Sequence, residues 1–152
     1  MKKYQYKPMG SISFGTLNSD DLIHSLLWEV SRFPRRVLRS IRKEHRDVIR
    51  AFAKGEEISQ EDKDSLLESL FEALDANCLP YFYFGSHPGD GADIGYWLPD
   101  DFDYFFDGLR VNDLSKVPKD YFGEVLEVND HGNATLYFKN KKNKFREIWG
   151  IV

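Results

Sequence analysis

The chain is poor in the residues that build recognisable reaction centres. It has one cysteine, Cys78, in 152 residues, so no intramolecular disulfide can form and nothing calls for an oxidising compartment. Cys-x-x-Cys knuckles and a His-Glu-x-x-His helix are both missing, which removes the common zinc signatures. Glycines at 89, 91 and 95 lack the dinucleotide-binding spacing and lead into a strand rather than a helix. No window approaches the roughly 18 apolar residues a membrane span requires, and the opening MKKYQYKPMG has no apolar run behind its lysines. The expectation is a chain that is not exported, acts in the reducing cytosol, makes no use of a membrane and requires no cofactor. Internal repeats and low-complexity tracts are also lacking. A single domain over 1–152 is expected, with a helical part at about 17–77 and a sheet part at about 80–152.

What the chain does have is aromatic bulk and segregated charge. Twelve Phe, eight Tyr and three Trp within 41% hydrophobic residues place it outside the composition of disordered chains. The net charge of -4 conceals blocks of one sign. Arg32 to Lys54 carries nine basic residues against two acidic, and Glu56 to Asp75 carries eight acidic against one basic. Asp90 to Asp107 holds six aspartates and no Lys or Arg, whereas Lys139 to Arg146 holds five basic residues and no acid.

Periodicity divides the chain into two halves. Asn18 reads as a cap with Asp20 and Asp21 in the first turn, and Leu22, Ile23, Leu26, Leu27 and Val30 recur on one helical face. Phe33-Pro34 breaks that helix. A second helix carries the stripe Val37, Leu38, Ile41, His45, Val48, Ile49, Phe52 and ends at Gly55. Ser59 and Asp62 resemble a capping box before a third helix lined by Leu66, Leu67, Leu70, Phe71 and Leu74. From Pro80 the period becomes two, giving strands in YFYFG, ADIGYW, FGEVLEV, ATLYFK and KFREIWGIV, and a short acidic helix in PDDFDYFFDG. The predicted class is α+β: about three N-terminal helices on one mostly antiparallel sheet of about five strands.

Three surfaces are candidates. Tyr96, Trp97, Asp100, Asp101, Asp103, Tyr104 and Asp107 interleave carboxylates with large apolar rings. That mixture suits an arginine-rich protein partner, such as a basic nucleic-acid-binding protein, through ion pairs and cation-π contacts. The competing explanation is a core element with its aspartates turned to water. Next, the hairpin tips SHPGDG and NDHGN bring His87, Asp90, Asp93, Asp130 and His131 to bends. If the tips converged, those side chains would suit a divalent metal or a phosphate. Otherwise they are turn chemistry, with Gly89 and Gly91 supplying positive φ. Finally, Arg35, Arg39, Arg42, Arg46 and Arg50 share a helical face and offer a weaker nucleic-acid surface, unless the acidic third helix neutralises them. His24 and His45 read as core histidines and Cys78 as a small buried hydrophobe. No Ser-His-Asp arrangement is legible, so catalytic residues are not assigned.

Three segments together, GTLNSDDLI, YFYFGSHPGDGADIGYW and GEVLEVNDHGNATLYFKNKKNKFREIWGIV, resemble a family of small proteins carried by phages, prophages and plasmids. The resemblance implies an accessory factor that binds host machinery, inhibitors of host defence included, and it assigns no catalytic residue. The leading expectation is a non-enzymatic interaction protein that binds a host protein partner through the acidic aromatic surface. The alternatives are a metal- or phosphate-dependent enzyme at the hairpin tips and, more weakly, direct nucleic-acid binding.

Overall fold

Apolar spacing in the first half dictates helices that must cover a sheet, and the computed structural model, which describes residues 6–152, has that arrangement. The class is α+β. Contacts divide the chain into two compact units, Met1–Pro99 and Asp100–Val152. Among the described residues no helix is long and apolar enough to cross a membrane.

The first unit runs β1 (Gly10–Phe14), α1 (Ser19–Ser31), α2 (Arg35–Glu44), α3 (Arg46–Lys54), α4 (Gln60–Asp75), β2 (Tyr83–His87) and β3 (Asp90–Trp97). Its sheet has the order β1-β3-β2, with both pairings antiparallel. Local chemistry sets the helix ends as expected. The Asn18 side chain accepts hydrogen bonds from the Asp20 and Asp21 amides, Ser59 accepts from the Asp62 amide, and Gly55 closes α3 at φ 70°. Leu26 of α1 and Leu66, Leu70 and Leu74 of α4 are fully buried, each burial contributing about 1.5–3 kcal/mol. Phe84 and Tyr96 from the sheet complete that core. Gly95 is required at the centre of β3, because a Cβ there would overlap the Gly10 carbonyl of the neighbouring strand.

One charge lies inside this core. Glu29 of α1 is 1% exposed, and its Oε1 accepts hydrogen bonds from Tyr6 Oη at 2.8 Å and Tyr96 Oη at 3.1 Å. Arg32 lies 3.5 Å from the other carboxylate oxygen and stacks 3.9 Å from the Tyr6 ring centre. The carboxylate therefore joins α1, β3 and the segment preceding β1 at a single point.

The second unit runs α5 (Phe102–Phe105), β4 (Leu109–Val111), a 3-10 turn (Leu114–Lys116), β5 (Gly123–Val128), β6 (Ala134–Lys139) and β7 (Phe145–Ile151). Its sheet has the order β4-β5-β6-β7, with β4 parallel to β5 and the rest antiparallel. Leu126, Leu136 and Trp149 align across three strands, and Phe102 packs edge-on against Trp149 at 5.7 Å. Lys139 is only 2% exposed, and its ammonium donates to the carbonyls of Pro118, Lys119 and Tyr121 at 2.7–2.9 Å. That coordination holds the loop before β5.

Two expectations are corrected. The strands form two sheets of three and four members rather than one of five. The additional strands are β1, a Gly- and Ser-containing pentapeptide, and β4, which has only three residues. The single second helix is divided at His45, whose φ of -112° and ψ of 32° interrupt the helical backbone. There the imidazole turns inward, with Nε2 2.8 Å from Ser69 Oγ on α4.

Removing the buried carboxylate leaves tyrosine hydroxyls without an acceptor, so Glu29→Ala is expected to lower the urea unfolding free energy by about 2–3 kcal/mol. Burial first, and then the Glu29 carboxylate, raise the phenol pKa values of Tyr6 and Tyr96 above the usual range. A raised folded-state value favours the protonated native form. The associated stability is complete below about pH 10 and is lost as pH rises above it. In an alkaline titration, phenolate absorbance from these two tyrosines should appear only together with unfolding. Their ionisation in the folded chain near the usual tyrosine value would contradict the buried hub.

Candidate functional site

The hairpin-tip residues mostly close their own bends. In the first unit the His87 Nδ1 accepts from the Gly89 amide at 3.0 Å, and the Asp90 carboxylate accepts from the Ala92 amide at 3.0 Å. The His87 ring meets Trp97 edge-on at 4.6 Å. Pro88-Gly89 is a two-residue connection between paired His87 and Asp90, and neither Gly89 nor Gly91 adopts positive φ, so the glycine part of the expectation is corrected. Asp93 is half-buried, and its Oδ1 is buried without a hydrogen-bond partner among the described residues.

In the second unit Asp130 and His131 are exposed. The residue that organises their turn is Asn129, whose side-chain oxygen accepts from the His131 and Asn133 amides, both at 3.0 Å. Gly132 takes φ 83° in that turn. The next turn repeats the device, with Asn140 accepting from the Lys142 and Lys144 amides and Asn143 at φ 58°. An asparagine opening each loop was the available signal. Among the described residues no three His, Cys, Asp or Glu side chains form a group able to hold a metal ion.

The acidic aromatic segment divides by burial. Tyr96 is 1% exposed and bonded to Glu29, which makes it a core residue and removes it from any contact surface. Trp97 is half-buried, with Nε1 donating to the Gly85 carbonyl at 3.1 Å. From Asp100 onward the pattern changes. Phe102 and Phe106 turn inward, whereas Tyr104 is 92% exposed and Phe105 68% exposed. Asp100, Asp101, Asp103 and Asp107 are all exposed around them. Arg110 pairs with Asp103 at 3.3 Å and also bonds its carbonyl. The result is an aromatic pair rimmed by carboxylates.

Arg35, Arg39, Arg42, Arg46 and Arg50 are exposed along α2 and α3. The expected neutralisation by α4 does not occur. Arg50 lies 3.8 Å from Asp47 on its own helix, and among the described residues Arg35, Arg39, Arg42 and Arg46 make no ion pair. The only cation on α4, Lys63, pairs at 2.6 Å with Asp20 of α1 instead.

Among the described residues His45 does not form a relay. The His45 Nε2 faces both Ser69 Oγ at 2.8 Å and Glu44 Oε1 at 3.8 Å. A relay would need the carboxylate on the opposite ring nitrogen. His24 is exposed rather than buried, so its core assignment is corrected. Compared with known proteins, the chain matches no family model, no curated protein and no solved structure.

Burial, assisted by the nearby Asp75 carboxylate, pushes the Cys78 thiol from 9.0 up to about 12. At pH 8 the thiolate fraction then falls by about a thousandfold, and so does reactivity. Alkylation by iodoacetamide is expected to be slow in the native chain and fast in urea. Native labelling as rapid as that of glutathione would contradict it.

Proposed function

We propose that the chain is a non-enzymatic interaction protein that grips a cationic protein segment with the acidic aromatic turn of its second unit. The observation that supports this reading is the outward pair Tyr104 and Phe105 among Asp100, Asp101, Asp103 and Asp107. Large rings are costly to leave in water at this density, and carboxylates beside them disfavour burial in the chain's own core. Together they fit an arginine-rich strand or helix, whose guanidinium groups stack on the rings and bond the carboxylates at once. A host nucleic-acid-binding protein has that chemistry, and the resemblance to mobile-element proteins points to a host partner, a defence factor among the options.

Fluorescence anisotropy with a labelled arginine-rich peptide tests the surface. Tyr104→Ala with Phe105→Ala is expected to weaken binding at least about tenfold, roughly 1.4 kcal/mol, with the far-UV spectrum and melting temperature unchanged. Asp100→Asn with Asp101→Asn and Asp107→Asn should weaken it further and flatten its salt dependence. Equal affinity of all three proteins for the peptide would sink the proposal.

A further inference from the structure

The outward side of α2 is a band of cations that the fold itself does not use. At 3.6 residues per turn, Arg35, Arg36, Arg39, Arg42 and Lys43 fall within an arc of about 120° centred opposite the buried Ile41. All five side chains are exposed, and among the described residues none of them forms an ion pair. Val37, Ile41 and Glu44 point the other way and line the cleft against α4 together with Glu72, so these two carboxylates sit on the opposite side of α2 from the cations. The band works against its own helix. Arg39 has a like charge three or four residues away at Arg35, Arg36, Arg42 and Lys43, spacings at which like charges oppose helix formation. Arg35 and Arg36 also stand in a first turn that holds no acid, where the helix dipole disfavours cations. An anion laid along the band removes both oppositions.

We infer that α2 docks double-stranded DNA, lying in the major groove with its cations on the phosphates of both rims. The band has two flanks, Arg35 and Arg42 on one side of Arg39 and Arg36 and Lys43 on the other. A helix is about 10–12 Å across with its side chains, and the major groove is about 12 Å wide. Seated there, the flanks meet opposite rims while Arg39 faces the base edges. Four of the five cations are arginines, whose forked guanidinium groups bond phosphate oxygens in pairs. A lipid surface fits less well, because Val37, Leu38 and Ile41 are packed into the chain's own core and the band keeps no apolar residue to enter a headgroup layer. No Asn, Gln or acid lies within the arc, so the contact reads the backbone and accepts duplexes of any sequence.

Anisotropy of the full chain with a labelled random-sequence duplex of about 25 base pairs tests the inference. Binding is expected at about 50 mM salt, and the logarithm of affinity should fall against the logarithm of salt with a slope of about -4.5, about -0.9 for each phosphate met by the five cations. Two double variants each empty one flank: Arg35→Gln with Arg42→Gln, and Arg36→Gln with Lys43→Gln. Each should keep native circular dichroism, weaken binding at least about tenfold and reduce the steepness of the slope by about 1.8. Tyr104→Ala with Phe105→Ala, and Lys141→Gln with Lys142→Gln and Lys144→Gln, should bind the duplex as the wild type does, which separates this face from the aromatic surface and from the basic turn of the second unit. No binding at low salt overturns the inference without any variant. So does binding that ignores both flank variants or responds to one flank alone, or a loss in either control equal to that in the flank variants. A single strand bound as tightly as the duplex would overturn the groove fit. Binding to vesicles of about 30% phosphatidylserine in place of the duplex, lost in the flank variants, would assign the band to a lipid surface and overturn it equally.

Discussion

A carboxylate inside an apolar core is tolerated only if its charge is compensated, and Glu29 is compensated by groups from three places in the sequence. Tyr6 lies 23 residues before it and Tyr96 lies 67 residues after it, while Arg32 approaches from the next turn of the same helix. Leaving such a charge uncompensated costs several kcal/mol, so the pairing fixes how α1 seats on β3 and how the segment before β1 crosses the helix. Leu26 of α1 and Leu66, Leu70 and Leu74 of α4 are fully buried in the same core. The carboxylate determines which arrangement of that burial is allowed.

The same economy governs three further polar groups, whereas the Asp93 Oδ1 is buried without a partner among the described residues. His45 is taken by Ser69, Lys139 by three carbonyls, and Tyr121 by the Glu124 carbonyl and the Leu109 amide. Each is satisfied by the fold, and none is aimed into a cleft with a complementary acid, base and nucleophile around it. The surface of the second unit offers the carboxylate-rimmed rings at Tyr104 and Phe105, suited to recognition by charge and aromatic contact.

Much of this was legible because it is local. Asn18, Ser59 and Gly55 announce helix ends through side-chain or backbone requirements confined to a few residues, and the change of period at Pro80 announces strands. Pairing is not local. Period two shows that FGEVLEV and ADIGYW are strands, but nothing in the alternation assigns them to different sheets. β4 has three residues and a parallel partner, too little for any pattern. Glu29 lies three residues beyond Leu26 on the apolar face, where a charge reads as an edge residue until its tyrosines are known. Lys139 reads as the first of a basic run, yet its acceptors lie 18 to 21 residues away. At the candidate site the acidic aromatic composition was visible at once. Which rings point outward was not, since Tyr96 and Tyr104 differ only in tertiary context.

If Glu29 serves the fold as one member of a matched set, the whole set should be replaceable even though no single member is. The direct measurement is equilibrium unfolding in urea of the combined variant Tyr6→Phe, Glu29→Leu, Tyr96→Phe, which exchanges the polar hub for apolar groups of similar volume. The expected result is a cooperatively folded chain within about 2 kcal/mol of the wild type. A combined variant destabilised by more than about 4 kcal/mol, well beyond the loss of two hydroxyl bonds, would contradict a hub whose worth lies in mutual satisfaction.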